Sequence, residues 1–590
     1  MRFRLMVSAA AVALSGCAAQ TVQQAPGRQA AAAPVEVKII AFNDFHGNLM
    51  PPKRSVEAPL ASGGTAAVPV GGAAYFASAV AKLKAENPNH VVVSAGDMIG
   101  ASPLVSSLFL DEPTILAMNM IGVDFNAVGN HEFDRGSGEL LRMRRGGCEK
   151  FTARQPCRVD PDFLGAKFDF LAANTIREGG ETLFPAYGIR TFGSGAGQVK
   201  IGFIGMTLEA TPSVVTPAGV AGLSFRDEAD TANALIPRLK AEGADAIVIV
   251  IHEGAVSKKS YNDKDCSGLS GDLLPILDRL DPEVDVVVSG HTHNAYVCDY
   301  AQLNPAKPFL VTSAGQYGTM LTDIRLTIGG GEVRAKAADN ILVQGEGYSG
   351  SRGDVPVTEA FARYEQDPAV AQLVKRYADA AAPVEAEPVG TLSGPALRSA
   401  NESGESVLGN LIADAQLAAT ATPQGGGAQI AFMNSGGIRA DLVPGEGGVV
   451  TFGQAYAVQP FGNSMTVKTM TGAQLKALLE QQFNSGSNSA EQPNVLQVSN
   501  GFSYAYDLSK SAGQRIRDVT LNGRAVEDAQ TYRVAMSNFL ASGGDNFTLF
   551  REGTDSVGGL QDIEVLAAYL SGAAARPVPA LGRIRNVTPK

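Results

Sequence analysis

The sequence predicts an α/β protein in two parts, and three observations carry that reading. Between Val35 and about Gly345, short apolar runs rich in Val and Ile recur at Val37–Phe42, His90–Ser94, Ile201–Ile204, Ala246–Ile251 and Val284–Ser289. Unbroken runs of this length read as strands covered on both faces. Helical periodicity separates several of them, as from Ala73 to Lys84, so strands and helices alternate in layers. Finally, 590 residues exceed what one hydrophobic core usually organises, so a second domain is expected.

At the N-terminus, Arg2 and Arg4 precede an apolar stretch from Leu5 to Leu14, which leads into Leu14-Ser15-Gly16-Cys17. Ten apolar residues fall short of the ~20 that cross a bilayer, so residues 1–16 read as a signal peptide outside the fold. Leu-Ser-Gly-Cys is similar to a bacterial lipobox. That resemblance implies lipidation of Cys17 and a membrane anchor. With Ala18 next, it points to the periplasmic face of the outer membrane. A plain secretory signal is the alternative. The Ala/Gln-rich remainder of residues 17–34 reads as a flexible tether.

The first α/β part spans 35–345. The segment from Gly345 to Pro356 is rich in Gly and Ser and marks a boundary. It contains Arg352-Gly353-Asp354, read as a chance tripeptide in a Gly-rich loop. Within a linker of residues 346–388, Asp367 can cap a helix and Pro368 suits its first turn. Val370, Leu373, Val374 and Tyr377 follow at helical spacing, with Pro383 and Pro388 ending it. This is the expected interdomain helix. The second α/β part, 389–590, opens a helix at Ser406 carrying Leu408, Leu411 and Ile412. Thr471 with Gln474 forms a capping-box signature before Leu475, Leu478 and Leu479.

The net charge of −11, without a long basic run, argues against nucleic-acid binding as the main role. Five cysteines are present. Setting Cys17 aside leaves an even four, which suggests two disulfides in an oxidising compartment. Of three connectivities, Cys148–Cys157 closes a short loop and leaves Cys266–Cys298. Zinc ligation is the rival, against which stands the absence of any C-x2-C spacing.

Five short segments of the first part concentrate metal-binding residue types. They are Asn43-Asp44-Phe45-His46-Gly47-Asn48, Gly96-Asp97, Gly129-Asn130-His131-Glu132, His252-Glu253 and Gly290-His291-Thr292-His293. Most directly follow a strand-like run, and in open α/β sheets sites form at the carboxyl ends of strands. Asp44 and His46 are two apart and on extended backbone would face one side, as would His291 and His293. Of six histidines, five fall in these segments; His90 lies outside them and reads as structural. Mixed imidazole, carboxylate and amide donors suit two divalent ions such as Zn²⁺ or Mn²⁺. Two such ions ~3.5–4 Å apart need a shared carboxylate.

The order D-x-H, GD, GNH(E/D), H, GHxH resembles the calcineurin-like metallophosphoesterases. Asn43-Asp44-Phe45-His46-Gly47 and Gly129-Asn130-His131-Glu132-Phe133-Asp134 resemble, more narrowly, the 5′-nucleotidase family, which includes periplasmic UDP-sugar hydrolases. The resemblance implies a four-layer β-sandwich flanked by helices, followed by an α/β nucleotide-binding domain. It implies that Asp44, His46, Asp97 and His293 hold one metal, and that Asp97, Asn130, His252 and His291 hold the other, with Asp97 bridging. In several members the position of His293 is Gln or Asn. His131 would stabilise the transition state and Asp134 would orient it; as a local reading, Asp134 is also an ordinary acid near a helix N-terminus.

In the second part, Phe461 and Phe539 would each read alone as core, but both stand beside Gly-rich turns, which favours exposure. Pro460-Phe461-Gly462-Asn463, Asn538-Phe539 through Asp545, Glu405 through Ala415, and Asn434 through Arg439 resemble the C-terminal domain of the same family. That resemblance implies a base held between Phe461 and Phe539, where aromatic stacking is worth about 1–3 kcal/mol per base. It implies ribose contacts from Asp545, charged-group contacts from Arg398 and Arg439, and polar contacts from Asn434 and Asn463. Some members carry a second Arg four residues after Arg398; here Glu402 stands there. The expected function is release of phosphate from nucleoside 5′-monophosphates, with UDP-sugars as further candidates, by a monomer in nucleotide salvage. The alternatives are a 2′,3′-cyclic phosphodiesterase/3′-nucleotidase or a sulfur-ester hydrolase of the superfamily, and a surface adhesion lipoprotein with a retired site.

Overall fold

The computed structural model describes residues 33–589 except 153, 351, 352 and 573. The signal peptide, Cys17, and the tether up to residue 32 lie outside the described residues. Among those described, no helix is long and apolar enough to cross a membrane.

The first part is a sandwich of two six-stranded sheets. One runs in the order Glu332–Leu342, Met320–Gly329, Val35–Phe42, His90–Ser94, Phe125–Ala127, Asp169–Leu171. The other runs Ala295–Asp299, Leu310–Ala314, Val286–Ser289, Ala246–Ile251, Val199–Met206, Tyr187–Phe192. Strand side chains alternate between faces, and this splits each apolar run between two cores. Val37, Ile39, Ala41, Val91 and Val93 meet Val248, Val250, Val286 and Val288 between the sheets. Ile40, Phe42 and Val92 instead face Phe76, Val80 and Leu83 of the helix Ala73–Glu86. Ile247, Ile249, Ile251 and Val287 face Ile236 and Leu239 of Glu228–Ala241 and Leu277 of Leu273–Arg279. The result is four layers, helix–sheet–sheet–helix. It explains why the runs are unbroken rather than alternating: neither face of these strands meets water.

Parallel pairing sets where the loops emerge. Val35–Phe42 pairs in parallel with His90–Ser94, which pairs in parallel with Phe125–Ala127; Ala246–Ile251 pairs in parallel with Val286–Ser289. The carboxyl ends of these strands therefore lie on common sheet edges, and each opens into one of the motif segments.

The second part holds a five-stranded sheet, in order Gln497–Val498, Ile430–Met433, Thr531–Ser537, Ser464–Thr471, Thr554–Gln561. A four-stranded sheet contains Phe502–Tyr506, and the helices Val407–Thr420, Gly472–Glu480 and Asp562–Leu570 accompany them. Ser406 caps the first helix by accepting from the Gly409 amide, and Thr471 with Gln474 forms the expected capping box.

Between the two parts, Pro368–Glu385 is helical, and Asp367 accepts from the amides of Ala369 and Val370. Pro383 does not end this helix as its position suggested; it lies inside the last turn, two residues before the end. Proline there forfeits only its own hydrogen bond to the carbonyl of residue 379, and the helix closes over it with the Ala386 amide on the Ala382 carbonyl. The apolar face, Val370, Leu373, Val374, Tyr377 and Ala381, belongs to the core of the first part. From Val370 to Ala381 the helix is thus fastened to the first half, while Val384 in its last turn packs on the core of the second.

Both disulfides form as expected, Cys148–Cys157 and Cys266–Cys298. The second ties a short turn to the edge strand Ala295–Asp299 across a separation of 32 residues. By loop-closure entropy it stabilises by roughly 3–4 kcal/mol. Cys298→Ser is expected to lower the urea midpoint of the first part accordingly; an unchanged midpoint would show that the link is redundant with the strand pairing.

Candidate metal centre and interdomain cleft

The loops at the strand ends have an unusual backbone. Asp44, His46, Asp97, His291 and His293 have φ of 49°, 46°, 49°, 67° and 59°. Asp44/His46 and His291/His293 therefore do not share a face through an extended backbone. Successive left-handed turns aim them instead. Asp, Asn and His tolerate this region better than branched residues, at a cost of order 1–3 kcal/mol each. Neighbouring bonds hold the conformation: the Asp44 amide donates to the Gly96 carbonyl at 3.0 Å and the His46 amide to the Asp97 carbonyl at 2.9 Å. Gly96, at φ 88°, has no room for a side chain, since a Cβ there would fall 2.6 Å from His252 Nδ1.

Two groups of donors result. Asp44, His46 and His293 form one, and Asp97, His252 and His291 the other; within each, ligand atoms lie within 4.8 Å of one another. His46 Nε2 faces His293 Nε2 at 3.1 Å, while His46 Nδ1 meets the Gly100 carbonyl at 2.9 Å. The carbonyl accepts from Nδ1–H, so the lone pair is on Nε2, facing a second imidazole nitrogen. His252 repeats the device: Nδ1 meets the Ala95 carbonyl at 2.7 Å, and Nε2 stands 3.0 Å from both Asn130 Oδ1 and Asp97 Oδ2. His291 Nδ1 is 3.1 Å from Asn130 Oδ1. Asp97 Oδ2 is also 3.6 Å from His46 Nε2, which sets this carboxylate between the two groups. Asp44 Oδ1 is buried without a hydrogen-bond partner. Facing lone pairs and an orphaned buried carboxylate oxygen are the donor pattern of a cation site, so these residues fit two divalent ions. Burial first, then the neighbouring His252, pushes the His291 pKa down to about 4, so its imidazole is neutral at pH 7.

His131 stands outside both groups. Its amide donates to Asp97 Oδ1 at 2.9 Å, and its Nδ1 lies 3.0 Å from both oxygens of Asp134. Burial lowers its pKa, but the carboxylates of Asp134 and Asp97 outweigh that and raise it above the usual imidazole value. Glu132, buried, accepts from the amides of Asp97, Met98 and Gly129 at 2.9, 2.8 and 2.7 Å. It clamps the Asp97 loop to the Asn130 loop. Asn43 similarly ties Asp44 Oδ2 to the Gly315 carbonyl and the Ala314 amide.

Facing the metal cluster is a cavity of about 350 Å³, lined from the first half by Thr292, His293, Gln316 and Tyr317 and from the second by Arg398, Ser435 and Arg439. Arg398 Nη1 donates to the Arg439 carbonyl at 2.8 Å, and Arg439 Nη2 is buried without a partner. The Phe461 ring stacks on His131 at 5.6 Å and 25°, with the Arg439 guanidinium 5.8 Å from the Phe461 centre. Asn434 is buried and donates to Asp545 Oδ2 at 2.7 Å. The other two residues expected at a substrate also belong to the second half. The Asn463 carbonyl accepts from the Asp562 amide at 2.8 Å, and Phe539 packs against Gly544 and the second core of this half. Glu402 lies on an exposed turn.

Comparison with known proteins matches two family models in succession: calcineurin-like phosphoesterase over residues 37–295 and the C-terminal domain of 5′-nucleotidase over 388–552. The chain belongs to the 5′-nucleotidase family of calcineurin-like phosphoesterases. It is 26% identical to a 5′-nucleotidase of Vibrio vulnificus, across 97% of this chain and 96% of that one. It is 29% identical to the endonuclease YhcR of Bacillus subtilis over 91% of this chain, but spans only 40% of that longer protein. Among solved structures, the 5′-nucleotidase precursor of Thermus thermophilus superposes with a TM-score of 0.71 at 27% identity, covering 94% of this chain and 100% of that one.

As a 5′-nucleotidase-family hydrolase, the chain carries the metal-ligand motifs on strand ends, where sequence reading placed them. Three further residues support the site. Glu132 was visible inside Gly-Asn-His-Glu, but its role depends on three amides brought together by two loops. Tyr317, at φ 58°, donates its amide to the Asp44 carbonyl at 2.7 Å and sets its ring edge-on to His46 and His293. Arg54 lies over the Tyr317 ring at 4.8 Å.

Proposed function

We propose that this chain releases phosphate from nucleoside 5′-monophosphates, and accepts UDP-sugars as further substrates, in nucleotide salvage outside the cytoplasm. The observation that carries the reading is the cleft: metal donors and His131 on one wall, and Arg398, Arg439 and Phe461 on the other. A nucleotide has an anionic end and a flat end, and this cleft offers a matching partner for each.

Asp44, His46, Asp97 and His293 would hold one cation and Asp97, Asn130, His252 and His291 the other; the imidazole-rich set favours Zn²⁺ or Mn²⁺. Bound there, two divalent cations supply Lewis-acid polarisation of the phosphoryl group and a water of lowered pKa. His131, whose charged form Asp134 favours, donates a hydrogen bond to the phosphoryl oxygen on which charge develops. Arg398 and Arg439 bind the substrate's anionic groups, and Phe461 with Phe539 the base. Asn434, Asn463 and Asp545 supply polar and ribose contacts. Phe461 already touches His131, so base binding requires the two halves to part and close again. The pivot follows the linker helix, near residues 386–388, because the helix is bound to the first half as far as Ala381. Export, with Cys17 as a lipid anchor at the periplasmic face of the outer membrane, and a monomeric state complete the reading.

The decisive measurement is hydrolysis of a panel of AMP, UMP, UDP-glucose, 2′,3′-cyclic AMP and a thiosulfate ester, with and without chelator, reading phosphate release from the monophosphates, chromatography of the nucleotide products from UDP-glucose and the cyclic ester, and sulfate release from the sulfur ester. Chelator-sensitive release from the 5′-monophosphates is the expected outcome. Preferential opening of the cyclic ester, or action on the sulfur ester alone, overturns it.

A further inference from the structure

The cleft contains more positive charge than one phosphoryl group requires. With two divalent cations present, the carboxylates of Asp44 and Asp97 leave the metal cluster at about +2, which balances one phosphoryl dianion. Arg398 and Arg439 add two further charges from the second half. A third comes from the metal half itself. Arg54 opens the hairpin Arg54–Pro59/Thr65–Val70, whose Ala58, Val68 and Val70 pack on Ala314, Met320 and Leu342. The hairpin is therefore fixed to the sandwich and does not travel with the second half.

Arg54 reaches the cleft through Tyr317, one of its lining residues. Its guanidinium carbon lies 4.8 Å from the centre of the Tyr317 ring. That ring lines the cavity and stands 5.8 and 5.7 Å from the rings of His46 and His293. A guanidinium on an aromatic face keeps its in-plane N–H groups free for an anion. Tyr317 and Arg398 line the same cavity, so Arg54 on the Tyr317 ring adjoins the cavity that Arg398 lines, and burial first, then the charge of Arg54, lowers the Arg398 pKa. The acid that acts on Arg398 is Asp441, whose carboxylate accepts from the Arg398 backbone amide. Among the described residues, no ion pair includes Arg54, Arg398 or Arg439. Like charges without an ion-pair partner repel one another, and an anion relieves that repulsion.

We propose that Arg54 is a specificity-determining residue, which with Arg398 binds a second phosphoryl group adjoining the one held at the metal cluster. It thereby favours substrates bearing a diphosphate, such as nucleoside diphosphates and diphosphate-linked nucleotides. This rests on the phosphohydrolase reading above but not on recognition of a base.

The test measures binding of inorganic pyrophosphate and inorganic phosphate to the metal-loaded full chain by calorimetry, in the native protein, Arg54→Gln and Arg54→Lys. The preference for pyrophosphate over phosphate is expected to fall about tenfold in Arg54→Gln, the scale of one charge-assisted hydrogen bond, and to be partly kept in Arg54→Lys. The kcat/KM for ADP relative to AMP should fall by a similar factor, through KM. Arg54 is half-exposed at a strand start, so thermal melting should confirm intact folding. An unaltered pyrophosphate preference in Arg54→Gln overturns the assignment. A protein that cleaves no nucleotide, yet loses its pyrophosphate preference on this substitution, overturns the nucleotidase reading and keeps Arg54.

Discussion

Asp97→Asn is expected to reduce phosphate release by at least about 10³-fold and to lower bound metal below two ions per chain. The substitution is nearly isosteric, so the fold should tolerate it. Asn retains a carbonyl oxygen to accept the His131 amide, which in the native protein donates to Asp97 Oδ1 at 2.9 Å. What it loses is charge and one donor oxygen. Asp97 Oδ2 sits 3.0 Å from His252 Nε2 and 3.6 Å from His46 Nε2, between the two donor groups. Two divalent ions held about 3.5–4 Å apart repel strongly, and a shared carboxylate offsets that repulsion. An amide offers one oxygen and turns N–H groups toward the other ion. The loss should therefore exceed the 10²–10³ typical of removing one transition-state donor. Elemental analysis beside phosphate release decides the matter. A variant with two ions and native turnover would remove Asp97 from the bridging position.

The metal-ligand candidates were legible because the types concentrated at strand ends are few and chemically narrow. Asp44, Asp97, His291 and His293 also occupy left-handed backbone, where Asp and His are among the better-tolerated residues. The geometry that converges them was not legible. The extended-backbone argument paired Asp44 with His46 correctly but through the wrong conformation, because periodicity describes strands and not the turns after them. The four-layer sandwich was written in the unbroken Val/Ile runs, whose alternate residues divide between two cores. Pro383 misled because a proline stops a helix only where the bond it removes is needed, and the last turn spares it.

The cleft was the least legible region. Arg54 and Tyr317 come from a hairpin and a turn without motif, and only the closed tertiary arrangement sets one on the other. Phe461 and Phe539 were expected as partners, but Phe461 rests on His131 across the cleft while Phe539 packs on its own half. Both rings belong to the second half, and what the angle between the halves decides is whether Phe461 faces His131. No local pattern encodes that angle; it is set by contacts between residues hundreds of positions apart.

His131→Ala is expected to lower kcat by about 10²–10³-fold while metal content stays at the native value. Separation of the two readouts follows from the geometry. His131 belongs to neither donor group, and its link to Asp97 runs through its backbone amide, which alanine retains. Its side chain is oriented instead by Asp134, at 3.0 Å from Nδ1, which leaves Nε2 as the nitrogen free to meet substrate. The Asp134 carboxylate also stabilises the charged imidazole, so the residue arrives at the reaction as a donor. Asp134→Asn should accordingly give a smaller loss of the same kind, since the ring remains but its charge and tautomer are less firmly set. Phe461→Ala should act mainly on KM, because that ring touches His131 without offering it a hydrogen bond. If His131→Ala instead loses an equivalent of metal, the imidazole is a ligand, and the donor that meets the developing phosphoryl charge must be sought among Arg398 and Arg439 on the opposite wall.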